Sequence, residues 1–450
     1  MGKTLASPPR VSPMLRLRCY AVRELERISR REVFIDESLT TARANPELAA
    51  ESLKMLEFWI KGVVEHRGSL DVEIIEAAGR PLDGFDAQVL ELLRLALFQL
   101  RFQENAHTGG VVSESVDACK MLRLERASGF INAVLRRLSA KPVEKQSPQS
   151  ATADVPAWLL SRLTRQYGEE ANSILQASGQ PPPLTLRVNT KRCDLAELRR
   201  SLEAESLSVE PAEISAHTLR VINLPKNVRI SELTAFKDGL FFIQDESSAI
   251  VAELLDPKPG MMVVDLCSAP GGKACAAAMS MKDQGLVLAF DKAAKRLERV
   301  QENVQRLGLQ SVKSVAADAL YPPIRGVFER VLLDAPCSGI GTLARKADIR
   351  WNRHNDQFAG LAEMQLKMLA VAFGLLAPAG KLVYSTCSID SEENEAVVNK
   401  FLQQQPGCVV AGLPDWLPQA ARSTCGRFFV SLPHRFKMTG AFAAVLARKN

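Results

Sequence analysis

The rhythm of apolar and polar positions changes along the chain. Between residues 14 and 140 apolar side chains recur at three- and four-residue spacing. Leu53, Leu56, Trp59 and Ile60 form one stripe, and Leu90, Leu93, Leu97 and Leu100 another. That period belongs to amphipathic helices and predicts an all-helical domain over 14–140. Residues 141–155 (KPVEKQSPQSATADV) have no periodic apolar face and read as a linker. Over 156–240 the signals mix: Trp158 to Tyr167 and Leu195 to Leu202 read as helices, and Leu184 to Val188 as a strand, giving a small α+β lead-in. A third domain is expected over 241–450. From residue 260 the apolar runs MMVVDL, LVLAF, VKSVAA, RVLLDA and KLVYST alternate with helical or loop segments. Buried strands alternating with helices predict a mostly parallel sheet covered on both faces, an α/β Rossmann-like domain. A length of 450 residues exceeds one ordinary core, in keeping with this multi-domain division.

Composition narrows the class. With 46% hydrophobic and 24% charged residues the chain reads as globular. No apolar run reaches the roughly eighteen residues of a membrane helix. The opening MGKTLASPPR lacks a secretory core, and Ala6 breaks the myristoylation pattern, so a cytoplasmic location is expected. A net charge of +6 permits a polyanionic partner without demanding one. The nine cysteines (19, 119, 193, 267, 275, 337, 387, 408, 425) are odd in number and scattered, without a C-x-x-C pair, and the histidines are far apart. That pattern argues against a disulfide framework and a structural zinc site, leaving buried or catalytic cysteines.

The candidate chemistry lies at strand ends, where doubly wound sheets bind ligands. The first strand, Met261 to Leu266, runs into Cys267-Ser268-Ala269-Pro270-Gly271-Gly272-Lys273. Its two glycines let the backbone approach a ligand and free N–H groups to donate. The second strand ends at Asp291, where a carboxylate can accept both hydroxyls of a ribose. The third ends at Asp318, which can accept from an adenine amino group, and the fourth at Asp334. The phosphate-binding patterns G-x-x-x-x-G-K-[ST] and G-x-G-x-x-G are absent, so a nucleoside without phosphate fits better, and S-adenosylmethionine is such a ligand. Two cysteines follow strands: Cys337 in DAPCSG and Cys387 in YSTCS. A thiolate adding to carbon six of cytosine makes carbon five carbanion-like, and it needs a lowered pKa and a rigid place. The residue pattern alone leaves open which of the two attacks. Arg345, Lys346, Arg350, Trp351 and Arg353 offer phosphate contacts and stacking for an extruded base. Arg16, Arg18, Arg136 and Arg137 are further candidates, with solvated faces as the alternative.

Together DLCSAPGGK, DAPCSG and STCS, with Gln244-Asp245-Glu246-Ser247-Ser248 and Arg187-Val188-Asn189-Thr190 upstream, resemble the Sun/NOL/NOP family of RNA 5-methylcytosine methyltransferases. The stretch before the linker resembles the NusB-type helical RNA-binding domain, so the likeness runs from about residue 14 to 447 and points to the bacterial Sun/Fmu branch acting on small-subunit ribosomal RNA. The resemblance implies S-adenosylmethionine held by Cys267 to Lys273 with Asp291, Asp318 and Asp334. It makes Cys387 the nucleophile and Cys337 the residue that assists adduct breakdown. Asp334 gains a second task, a contact to the cytosine edge, and Lys273 holds the loop or sits near the base. The implied partner is ribosomal RNA or an assembly particle, with no metal and no membrane, and the chain is expected to be a monomer. Ser268 stands where the family commonly has Ala, Ala347 where it usually has Pro, and Thr439-Gly440-Ala441-Phe442 where it tends to have Asp-Gly-Phe-Phe. Two other readings stay open. One is a NusB-like RNA-binding or antitermination factor with an inactive methyltransferase domain. The other is a DNA cytosine methyltransferase, in which the Pro-Cys residue Cys337 would attack.

Overall fold

The structure is a computed structural model describing residues 12–141, 154–225 and 228–449. Most of the expected linker, 142–153, lies outside the described residues. The chain forms two compact units, one of residues up to Arg162 with Lys346–Arg353, the other of Leu163–Arg345 with the remainder from His354.

The first unit is helical: α1 (Pro13–Ser29), α2 (Ile35–Arg43), α3 (Ala50–Glu65), α4 (Arg67–Ala78), α5 (Ala87–Phe102), α6 (Thr108–Met121) and α7 (Ser128–Ala140). Local signals set the ends. The Ser12 hydroxyl accepts from Leu15 N–H and Pro13 takes the first helical position of α1, while Gly79, with φ 68°, closes α4. Both apolar stripes face one core, where Leu56, Trp59, Ile60, Leu93 and Leu97 are fully buried. At least one candidate phosphate contact is spent on this core. Arg18 is fully buried, donating to Gln99 Oε1 at 2.6 Å and Glu114 Oε2 at 2.7 Å beside the Trp59 ring.

Segment 346–353 is also part of this unit and engages two of the expected RNA contacts in packing. Asp348 Oδ2 accepts Ile35 N–H at 2.8 Å and so caps α2, whose own preceding residue, Phe34, has no capping side chain. The Trp351 indole donates to Val64 O at 2.9 Å, with the Arg67 guanidinium 5.2 Å from the ring centre. Arg350 is buried and donates to Asp154 O at 3.4 Å. Arg350 and Trp351 therefore pack within the helical unit, Arg350 buried and Trp351 half-buried. We expect Trp351→Ala to cost this unit about 2–4 kcal/mol, read as a lower melting temperature. An unchanged melting temperature with weakened RNA binding would return Trp351 to the RNA surface.

The second unit begins with a small antiparallel sheet of β1 (Thr185–Val188), β2 (Ser208–Pro211), β3 (Thr218–Asn223) and β4 (Phe241–Ile243), ordered β2-β3-β1-β4. Helix Leu195–Ala204, opened by an Asp194/Glu197 capping box, packs on it. The last strand falls just beyond residue 240, where the lead-in was expected to end, because Phe241 pairs with Val188.

The large sheet holds β5 (Met262–Asp265), β6 (Leu286–Asp291), β7 (Val312–Ala316), β8 (Phe328–Asp334), β9 (Leu376–Thr386), β10 (Cys408–Val410), β11 (Phe429–Ser431) and β12 (Ala441–Arg448). Its order is β10-β12-β9-β8-β5-β6-β7, with β11 paired to β12. Strands β5 to β9 run parallel, as the apolar runs predict, and β10 to β12 add an antiparallel edge. The run AFAAVLA makes β12 an inner strand: Phe442, Ala444 and Leu446 enter one core, and Ala441, Ala443 and Val445 the other. The order reverses at β5, between β6 and β8, so the glycine loop after β5 sits at the switch point where such sheets bind ligands.

Asp283 ties the turn after helix Gly272–Ser280 to the start of β7. It accepts from Lys191 Nζ at 2.6 Å, Ser311 Oγ at 2.7 Å and Ser311 N–H at 2.9 Å. Burial opposes ionisation, but these donors hold the carboxyl at about 2. Its folded value lies below the unfolded one of about 3.9, so its stabilisation is present above pH 4 and fades as pH falls towards 2. Asn tolerates the left-handed backbone at this position, φ 58°. Asp283→Asn is expected to cost about 1–2 kcal/mol at neutral pH after solvent screening, with a smaller difference at pH 3, measured by urea unfolding at both values.

Candidate active site

Three strand ends converge on one cluster. β8 delivers Asp334 and then Cys337, β9 delivers Ser385 and then Cys387, and the loop after β5 delivers Lys273. Lys273 Nζ donates to Asp334 Oδ2 at 2.7 Å and to Ser248 Oγ at 3.2 Å. Ser385 Oγ donates to Asp334 Oδ1 at 2.7 Å. Both oxygens of Asp334 are thereby oriented, with the carboxylate half-open to solvent. The Cys337 and Cys387 sulfurs lie 3.4 Å apart, with Cys387 exposed and Cys337 half-buried. The loops are held close by Gly341, whose N–H donates to Cys387 O at 3.0 Å. A Cβ on Gly341 would fall 2.7 Å from that carbonyl, so only glycine allows the approach.

The electrostatics set the Cys337 thiol apart from the lysine. For Cys337 the hydrogen bond with Cys387, then burial, then the charges of Cys387, Glu393 and Asp334 push the thiol well above its ordinary value. Cys337 is therefore a protonated thiol at neutral pH. Burial disfavours the Lys273 ammonium, but Asp334, Asp265 and Cys387 outweigh it and leave Lys273 above its ordinary value, so it stays charged.

In the glycine loop Gly271 has φ 96° and abuts Val300, which a Cβ would meet at 2.9 Å. Ser268 N–H donates to Phe290 O at 2.6 Å, which pins the loop to β6. Asp291 is buried, with Oδ1 accepting Ala293 N–H at 3.0 Å and Arg296 3.3 Å from Oδ2. Asp318 accepts Leu320 N–H at 3.0 Å and pairs with Lys292 at 2.8 Å. Each of these acids thus caps its own turn and keeps further acceptor capacity.

Sequence reasoning passed over four contributors. Asp265 ends the first strand and is buried. Its Oδ1 takes Cys267 N–H at 3.3 Å, and its Oδ2 makes no hydrogen bond of ordinary geometry. Burial first, then the Asp334 charge, raise this carboxyl to about 7. The strand-end rule that singled out Asp291, Asp318 and Asp334 applies equally to Asp265. Ser248 and Ser385 were legible as members of the quoted motifs, whereas Glu393 carries no local signal. The upstream motifs are mainly scaffolding. Asp245 caps helix Glu246–Leu255, and Asn189 Nδ2 donates to Gly239 O and Leu307 O at 2.8 and 3.0 Å. Among the expected RNA contacts, Arg345 is exposed and pairs with Asp245 at 3.1 Å, Lys346 is exposed and Arg353 is half-buried.

Residues 252–447 match the family described as 16S rRNA methyltransferase RsmB/F, 155–229 the ferredoxin-like domain of RsmF/B-like methyltransferases, and 15–140 the NusB family. The chain is 30% identical to a probable ribosomal RNA small subunit methyltransferase B of Bacillus subtilis, over 96% of this chain and 99% of that one. It is 34% identical to ribosomal RNA small subunit methyltransferase B of Vibrio cholerae, over 83% and 84%. A crystal structure of a methyltransferase homolog protein from Pyrococcus horikoshii is 29% identical, covers 67% of this chain and 95% of its own, and superposes with a TM-score of 0.57. With its Rossmann-like sheet, its paired strand-end cysteines and relatives matched along nearly their whole length, the chain belongs to the RsmB/F methyltransferase family, in the form that carries an N-terminal NusB domain.

Proposed function

We propose that this protein methylates carbon five of a cytosine in small-subunit ribosomal RNA, using S-adenosylmethionine and a covalent link between Cys387 and carbon six. The observation that carries the reading is the pair of sulfurs 3.4 Å apart, next to an oriented Lys273–Asp334–Ser385 cluster.

The residues fit the cofactor. The loop Cys267, Ser268, Ala269, Pro270, Gly271, Gly272, Lys273 offers backbone beside the switch point. Asp291 suits the ribose hydroxyls and Asp318 the adenine amine. The unsatisfied Asp265 Oδ2 calls for a donor, which the ligand's ammonium would supply. When bound, S-adenosylmethionine supplies a methyl group on a sulfonium.

Cys387, as thiolate, adds to carbon six, and the π electrons move to carbon five. Asp334 accepts from the exocyclic amine and fixes the ring, while the Lys273 ammonium stabilises the negative charge that develops. With the cofactor bound along the Cys267–Lys273 loop, carbon five would take its methyl, and the electrons of the methyl–sulfur bond would stay on the cofactor sulfur. The carbon-five proton then leaves to water, its bonding pair restores the ring double bond, and the carbon six–sulfur bond breaks with its electrons on Cys387. The Cys337 thiol, beside Cys387, stabilises the departing sulfur.

The match of residues 15–140 to NusB supports an RNA partner, with Arg345, Lys346 and Arg353 as remaining candidate contacts. No described helix is long and apolar enough to cross a membrane, and action on ribosomal RNA would put the protein in the cytoplasm. The test is transfer of labelled methyl groups to unmodified small-subunit RNA, free and in assembly intermediates, beside matched DNA. Label recovered as 5-methylcytosine in RNA is expected. Preference for DNA, another modified position, or no transfer to any substrate overturns the proposal.

A further inference from the structure

Behind the cysteines lies a buried acid that the chemistry above does not use. Glu393 is fully buried. Its Oε1 accepts Ser338 N–H at 2.8 Å and Gln365 Nε2 at 3.0 Å, and its Oε2 accepts Ser338 Oγ at 2.5 Å. Gln365, also fully buried, donates to Pro336 O at 2.9 Å. Both neighbours of Cys337 are therefore held, Ser338 directly and Pro336 through Gln365. The other end of the clamp is fixed to the Cys387 strand. The Tyr384 hydroxyl, on β9, donates to Glu393 O at 2.6 Å, and Ser388 Oγ lies 3.1 Å from Ser338 Oγ.

A buried carboxylate is costly unless donors saturate it, and breaking such a set strands a charge. Among the described residues no lysine or arginine pairs with Glu393. Its donors come from the Cys337 loop and from the glutamine that holds that loop. Its carboxylate thus acts as a template for the loop's shape.

We propose that Glu393 is a positioning residue that keeps the Cys337 loop in register with Cys387 and so sets the rate at which the covalent adduct is released. This rests on the roles assigned above to the two cysteines. In that release the Cys337 S–H donates a hydrogen bond to the Cys387 sulfur as it departs. No net proton passes between them, and the carbon-five proton goes to water. A misplaced loop leaves methyl transfer intact and stalls this last step.

The test uses the full chain. Glu393→Gln keeps the shape but turns an amide NH2 towards donors. Turnover is expected to fall about 10²-fold, as for a misplacement of about 1 Å. Methyl transfer in a single turnover and KM for RNA should stay within about threefold. A denaturation-resistant protein–RNA adduct should accumulate. Gln365→Leu, which frees the Pro336 side of the loop, should show the same split and serves if Glu393→Gln does not fold. Wild-type turnover in the folded variant overturns the inference, and so does a parallel loss of single-turnover transfer, the mark of a merely structural role. If Cys337→Ser itself accumulates no adduct, the roles of the cysteines fail first, and this inference fails with them.

Discussion

Cys387→Ser is expected to lose turnover by at least about 10³-fold and to form no covalent complex with RNA, because a serine hydroxyl at neutral pH is a far weaker nucleophile than a thiolate. Cys337→Ser should do the opposite to the adduct. The attacking sulfur is intact, so methyl transfer proceeds, but the group beside the departing sulfur is altered and the complex persists. The two variants look alike in a steady-state assay and separate on a denaturing gel after incubation with RNA and cofactor. The 3.4 Å contact gives the pair this meaning, since a distant Cys337 could not influence cleavage at Cys387. Full activity in Cys387→Ser, with adduct lost in Cys337→Ser, would exchange the roles and favour the Pro-Cys chemistry of DNA enzymes.

Lys273→Met should be nearly as damaging, for an electrostatic reason. Lys273 is the cation that holds Asp334 Oδ2, and Asp265 and Cys387 also act on its charge. Without it, Asp334 loses its orientation, and the negative charge developing on the ring loses its partner. We expect kcat to fall about 10²–10³-fold, on the scale of removing one preorganised donor. Because the folded pKa of Lys273 is raised, its ion pair is fully present below about 10.4 and is lost only as pH rises through the higher folded value. Activity between pH 6 and 9 should therefore show no step from this group. Wild-type kcat in Lys273→Met would reduce Lys273 to a loop anchor.

The buried arginines follow one physical pattern. Arg18 and Arg350 look in the chain like solvated or RNA-binding charges, yet both are buried among hydrogen-bond partners. A guanidinium pairs equally well with phosphate and with a buried carbonyl, so local composition cannot tell the two apart. Asp348, Arg350 and Trp351 join the helical unit across about two to three hundred residues of sequence, as in the bond from Ile35 to Asp348. Glu393 sits in a polar stretch that reads as surface, and its partners at 338 and 365 come from separate elements.

What the residues determine by themselves is whatever rests on periodicity and on chain-local turns. The helical period of 14–140, the five parallel strands, the glycine turn after the first and the acids that close the next three are of this kind. What only the tertiary structure decided is the antiparallel edge, the capture of 346–353 by the helical unit, the meeting of the two sulfurs and the clamp around Glu393. The division has one cause. Dihedral preference and side-chain alternation act over a few neighbouring residues, whereas burial and the pairing of polar groups depend on which distant segments the packed core brings into contact.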